Sequence, residues 1–159
     1  MNIVPLGFLD VSTFAASYVL KYRSRGNLIM LRDGDDEFKN TAVLTEWKQA
    51  RALLTRIRNA AAAFVGGDPP DLGRVFLDTL TPGASAPWAI DDGDYRRAHH
   101  QIRICIIPSP GAWVYCGGEA AVLPWGQVTA VNVAALTTDV NFGPTARTNL
   151  IVDVARPES

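Results

Sequence analysis

After residue 73, glycine and proline recur too often for any long element to form. They stand in Thr81-Pro82-Gly83, Ser109-Pro110-Gly111, Gly117-Gly118-Glu119, Pro124-Trp125-Gly126 and Phe142-Gly143-Pro144. Between them lie short β-rich runs at 75–80, 102–107, 112–116, 121–123, 127–131, 138–141 and 147–154. Glycine supplies tight turns, and proline cannot donate to a strand ladder. This texture predicts short antiparallel strands in a small barrel or sandwich. The runs 102–107 and 112–116, joined through Pro110-Gly111, read as one hairpin.

Upstream the periodicity is helical. Leu9, Phe14, Tyr18 and Val19 follow Asp10 and Ser12, either of which can cap a helix start. A short apolar run at 27–31 before Arg32-Asp33-Gly34 reads as a strand. Leu44, Trp47, Ala50, Leu54, Ile57, Ala61 and Phe64 fall on one stripe, with Thr45 as a cap and Gly66-Gly67 as a stop. The other face of that helix carries Lys48, Arg51, Arg56 and Arg58, either a basic binding surface or a solvated outer face. The expected architecture is α+β in a single domain, 1–159. A mainly helical part, 1–72, packs on a β-sandwich core, 73–159.

At 159 residues the chain can bury a core without staples. Apolar residues make up 48% and charged residues 19%, which is a globular rather than a disordered composition. With 15 basic against 16 acidic residues, nothing drives the chain toward nucleic acid or an anionic membrane. No apolar run reaches the roughly 20 residues of a membrane span. The opening, Met1 to Asp10, lacks the basic start and apolar core of a signal peptide, which points to the cytoplasm. Cys105 and Cys116 flank the expected hairpin and read either as two buried thiols or as a strand-bridging disulfide.

The common chemical signatures are missing: GxGxxG, the Walker loop, HExxH, CxxC and GxSxG. The only histidines, His99 and His100, are adjacent, so on an extended backbone they point to opposite faces. They read as a loop feature, or one of them as a general acid/base.

The second half nonetheless carries an ordered series of pieces. These are Pro87-Trp88-Ala89-Ile90-Asp91-Asp92-Gly93-Asp94-Tyr95, the strand at 102–107, Gly111-Ala112-Trp113-Val114-Tyr115-Cys116-Gly117-Gly118-Glu119 and Leu123-Pro124-Trp125-Gly126-Gln127-Val128. Val131-Asn132, Val140-Asn141-Phe142-Gly143 and the run from Arg147 to Glu158 complete it. From about Arg74 to Glu158 the chain resembles the aspartyl/asparaginyl β-hydroxylase family. The resemblance implies a double-stranded β-helix, the cupin-like jelly roll, with the N-terminal helices packed on it. That family binds Fe(II) and 2-oxoglutarate through a His-x-Asp pair, a distal His and an Arg, a facial triad with open positions. Here Trp88, Ile90 and Thr137 fall on the three ligand positions. Indole and sec-butyl groups cannot ligate iron, and a lone threonine is a poor ligand. Arg147 matches the arginine that holds the cosubstrate carboxylate, a task suited to its planar fork. A second cosubstrate-binding position falls near Arg103 or Cys105.

The resemblance therefore implies a metal-free relative with no cofactor. The leading expectation is a cofactor-independent enzyme performing cyclisation, isomerisation or dehydration in secondary metabolism. Its substrate would be a small molecule bearing a carbonyl or carboxylate. Arg147 and Arg103 would stabilise developing negative charge, and His100 or Asp92 would move a proton. Trp88, Ile90, Cys105, Trp113 and Thr137 would line the pocket; Trp125 also reads as wall or turn packing. Two alternatives stand beside it. One is a non-catalytic binding protein. The other is an Fe(II)/2-oxoglutarate hydroxylase with rearranged ligands drawn from His99 or His100 and Asp91, Asp92 or Asp94. A homodimer is compatible with all three, and an arginine paired with a structural acid is the plain alternative for Arg147.

Overall fold

The computed structural model describes the backbone of residues 1–16, 28–33, 36–37 and 44–158, and side chains at 1–16 and 51–158. Tyr18 and Val19, and the side chains of Leu44, Thr45, Trp47, Lys48 and Ala50, lie outside that set.

The described strands are β1 (Ile3–Phe8), β2 (Leu28–Asp33), β3 (Asp36–Glu37), β4 (Leu72–Leu80), β5 (His99–Ile107), β6 (Ala112–Cys116), β7 (Glu119–Ala121), β8 (Gln127–Val131), β9 (Thr137–Asn141) and β10 (Arg147–Ala155). Helix α1 spans Leu44–Val65 and the short α2 spans Asp94–Ala98. A large antiparallel sheet runs in the order β1-β8-β5-β10-β4-β2-β3, and a small one in the order β7-β6-β9. The many short antiparallel strands expected after residue 73 are present.

Alternation decides which face each residue takes. On β5, Ile102, Ile104 and Ile106 turn to α1, while Gln101, Arg103 and Cys105 turn to the small sheet. On β10, Leu150, Val152 and Val154 join the helix side. Leu53, Leu54, Ile57 and Ala61 of α1 complete this core, and Ile57 is fully buried. The helix ends as expected at Gly66-Gly67, whose φ angles of 128° and 114° suit glycine. On its basic face, Arg58 donates from Nε to the Pro70 carbonyl at 2.6 Å. A second, smaller core lies between the sheets: Ile3, Cys105, Val114, Cys116, Leu123, Val131 and Val133.

The part expected to be helical, 1–72, holds helix at 12–16 and in α1, and also carries β1, β2 and β3. β1 forms the edge of the large sheet by pairing with β8, with a register shift between Pro5 and Gly7, and tertiary pairing overrides its mixed sequence. The runs 102–107 and 112–116 are not a hairpin. β5 pairs with β8 and β10, whereas β6 pairs with β7 and β9, so the chain crosses between sheets at Pro110-Gly111. Cys105 and Cys116 accordingly sit in opposite sheets as buried free thiols. No described helix is long and apolar enough to cross a membrane.

Candidate functional site

The interior face of the large sheet is charged. Arg103 on β5 and Arg147 on β10 are only 5% exposed. Both reach across to one carboxylate of the small sheet, Asp139 on β9. Arg103 Nη1 donates to Asp139 Oδ1 at 2.8 Å and Oδ2 at 3.0 Å, and Arg147 Nη1 donates to Oδ1 at 3.3 Å. Arg147 Nη2 also donates to Asp78 Oδ2 on β4 at 2.9 Å, and Arg103 Nε to Gln101 Oε1 at 2.8 Å. Burial pushes the Asp78 carboxyl above the usual carboxylate range, against the pull of Arg147 and with the help of neighbouring Asp139. Beside this network, Asn149 is fully buried with neither amide atom hydrogen-bonded, and Arg147 Nε is likewise unpaired. These groups border a void of about 10 Å³.

Toward the other end of β10 a second cluster repeats the pattern. Asp153, fully buried, accepts from Arg96 Nη1 at 2.8 Å and from Arg74 Nε at 3.3 Å. Arg96 Nε also donates to Asp91 at 3.1 Å, and the Arg74 guanidinium lies 3.9 Å over the Tyr95 ring. Next to it opens a pocket of about 210 Å³ bordered by Phe64, His100, Gln101, Asn132, Val133 and Arg156, among others. His100 packs edge-on against Phe64 at 4.9 Å. Burial, with Arg156 and Arg96 nearby, pushes its pKa down to about 4. Among the described residues Arg156 has no carboxylate partner; its Nε donates to the His99 carbonyl at 3.4 Å.

The positions singled out in the sequence do not form one site. Arg103 and Arg147 meet inside the sandwich, with Asp78 and Asp139 as structural acids. His100 lies on the helix-facing side of β5, opposite Val154, and Asp92 is exposed in the turn before α2. Residues 84–90 run along β9, and Ala89 and Thr137 exchange backbone hydrogen bonds at 3.0 and 2.9 Å. Positions 88, 90 and 137 are therefore neighbours. Trp88 and Ile90 are 59% and 57% exposed, and Ala89 between them is exposed as well. Trp88 and Trp113 flank Tyr115 at 6.1 and 6.3 Å, and Trp113 also borders the 10 Å³ void. Trp125 packs at a turn and donates from Nε1 to the Ile106 carbonyl at 2.9 Å. Cys105 is in the second core, its thiol pushed up to about 11 by burial.

Sequence reasoning missed Asp78, Asp139, Asn149, Arg74 and Asp153. One signal was available: Asp139, Asn149 and Asp153 occupy inward positions of strands, where an unpartnered charge or amide is costly.

An iron site does not fit here. Trp88 and Ile90 offer no donor atoms, and Thr137 donates its hydroxyl to the Ala135 carbonyl at 2.9 Å. No group of three or more His, Cys, Asp or Glu among the described residues could hold a metal ion. His99 is committed elsewhere, with Nδ1 2.9 Å from the Tyr95 carbonyl oxygen and its ring stacked on Tyr95. The Arg147 guanidinium meets Asp78 and Asp139.

No protein-family model matches the chain, and no curated protein matches it. Solved structures do. A non-heme monooxygenase, ThoJ in its nickel complex, superposes with a TM-score of 0.64 at 16% identity, over 99% of this chain and 74% of that one. AviO1 from Streptomyces viridochromogenes Tue57 gives 0.64 at 18% identity, over 98% and 89%. A viral collagen prolyl hydroxylase from Paramecium Bursaria Chlorella virus-1, in complex with 2OG, gives 0.59 at 10% identity, over 99% and 97%. The chain shares the cupin-like fold of these oxygenases. At such identities the likeness speaks for fold alone.

Proposed function

We propose that the chain is a metal-independent relative of the aspartyl/asparaginyl β-hydroxylases, built on a double-stranded β-helix, that binds a small carboxylate-bearing molecule without turning it over. One observation carries this reading: the two interior arginines are already bound to the chain's own carboxylates, Asp78 and Asp139. Groups expected to cooperate in catalysis are spread over the interior, the helix side of β5 and an exposed turn.

The binding place in this reading is the 210 Å³ pocket. Arg156 supplies a cation for the carboxylate, Phe64 an apolar surface, and Asn132 a neutral hydrogen-bonding group. A cofactor-free cyclase, isomerase or lyase would use His100 at this same pocket. A pKa of about 4 is poorly matched to proton transfer near neutrality, so binding is the better-supported reading.

Benzoate serves as the probe, titrated calorimetrically into the protein. Saturable binding is expected, weakened about tenfold by Arg156→Ala, with benzoate recovered unchanged. Binding indifferent to Arg156→Ala would remove the assignment. Chemical conversion of a carboxylate ligand, lost in His100→Ala, would restore the enzyme.

A further inference from the structure

Two buried arginines on neighbouring strands of one sheet converge on a single carboxylate from the other sheet. Asp139 spans Arg103 with both oxygens and shares Oδ1 with Arg147. This is the geometry of a bound carboxylate, except that the carboxylate is part of the chain. Polar groups beyond what Asp139 uses are also present. Asn149 is fully buried with its amide oxygen and nitrogen unpartnered, Arg147 Nε is unpartnered, and both border the 10 Å³ void that Asp139 lines. A buried amide without a partner is costly, so an orphan beside a cation pair marks a place shaped for more polar atoms than the fold itself needs.

We infer that Arg103, Arg147 and Asn149 form a carboxylate-binding site that the chain fills from within, with Asp139 as the resident ligand. While Asp139 occupies it, the site takes no mono- or dicarboxylate from solution, 2-oxoglutarate included. Removing the Asp139 carboxylate leaves two desolvated cations around a space of carboxylate size, which a free carboxylate re-enters. This inference does not depend on the pocket at Arg156, which lies by the other charge cluster.

The test is chemical rescue of Asp139→Ala. The variant melts below the wild type because two buried guanidiniums lose their shared partner. Formate at 100 mM is expected to raise its Tm saturably by about 4 °C over chloride at equal ionic strength. The wild type, and Asp139→Asn whose amide still fills the space, are expected to show no formate-specific shift. The double variant Asp139→Ala, Arg147→Met should lose the rescue. Equal shifts in formate and chloride overturn the inference, as does stabilisation by 2-oxoglutarate of the Arg156→Ala variant, whose outer pocket has lost its cation. If Asp139→Ala is isolated unfolded, its refolding yield from urea in formate against chloride reads the same quantity. Equal yields overturn the inference and a higher yield in formate supports it.

Discussion

His100 shows how burial sets the chemistry of one residue. Its imidazole packs against Phe64 and titrates at about 4 rather than 6.5 because burial, then Arg156 and Arg96, disfavour the charged form. The unfolded chain therefore takes up the proton first as pH falls. The contribution is fully present above about 6.5, is lost between 6.5 and about 4, and does not change further below that. Urea midpoints measured across this window should fall with pH, and His100→Gln should flatten part of the slope. Cys105 makes a second case. Burial lifts its thiol to about 11, so native protein at pH 8 should resist iodoacetamide at Cys105, with labelling appearing only on unfolding. At this scale the sequence revealed which residues were unusual, Arg103 and Arg147 above all. It did not reveal their partners, because Arg103 and Asp139 are 36 positions apart and Arg147 and Asp78 are 69 apart.

At the scale of elements, local pattern was a good guide where it was strict. The stripe on α1 specified a buried face, and its Leu54, Ile57 and Ala61 lie in the main core. Ile57→Ala should cost about 3 kcal/mol in urea unfolding, since it empties a fully buried site under the large sheet. A cost below about 1 kcal/mol would place the helix elsewhere. Pattern failed where two arrangements share one turn signal. Pro110-Gly111 serves a hairpin and a sheet-to-sheet crossing equally well, and only long-range pairing of β6 with β9 selects the crossing. Gly126 shows the opposite case, a local signal with one meaning. Its φ of +74° favours glycine, and a Cβ there would press on the Leu9 carbonyl oxygen. Gly126→Ala should therefore lower the Tm by several degrees, measurable by calorimetry.

Across the whole molecule, the sandwich interior holds two arginine–carboxylate clusters where an apolar filling would also have closed the fold. Each is balanced: Arg103 and Arg147 face Asp78 and Asp139, and Arg74 and Arg96 face Asp91 and Asp153. Buried pairs of this kind add little net stability over apolar packing but are costly to break on one side, and those of Arg103 and Arg147 with Asp139 join the two sheets. The same balance gives the interior arginines carboxylate partners from the chain itself. The sequence shows that Trp88 and Ile90 carry no donor atoms, but the meeting of Arg103 and Arg147 on Asp139 needed the fold. The most direct test is an anaerobic titration of chelator-stripped protein with Fe(II) and 2-oxoglutarate, followed by visible absorption. The account predicts no charge-transfer band at any ratio. A saturable band would contradict it and return the chain to the oxygenases whose fold it shares.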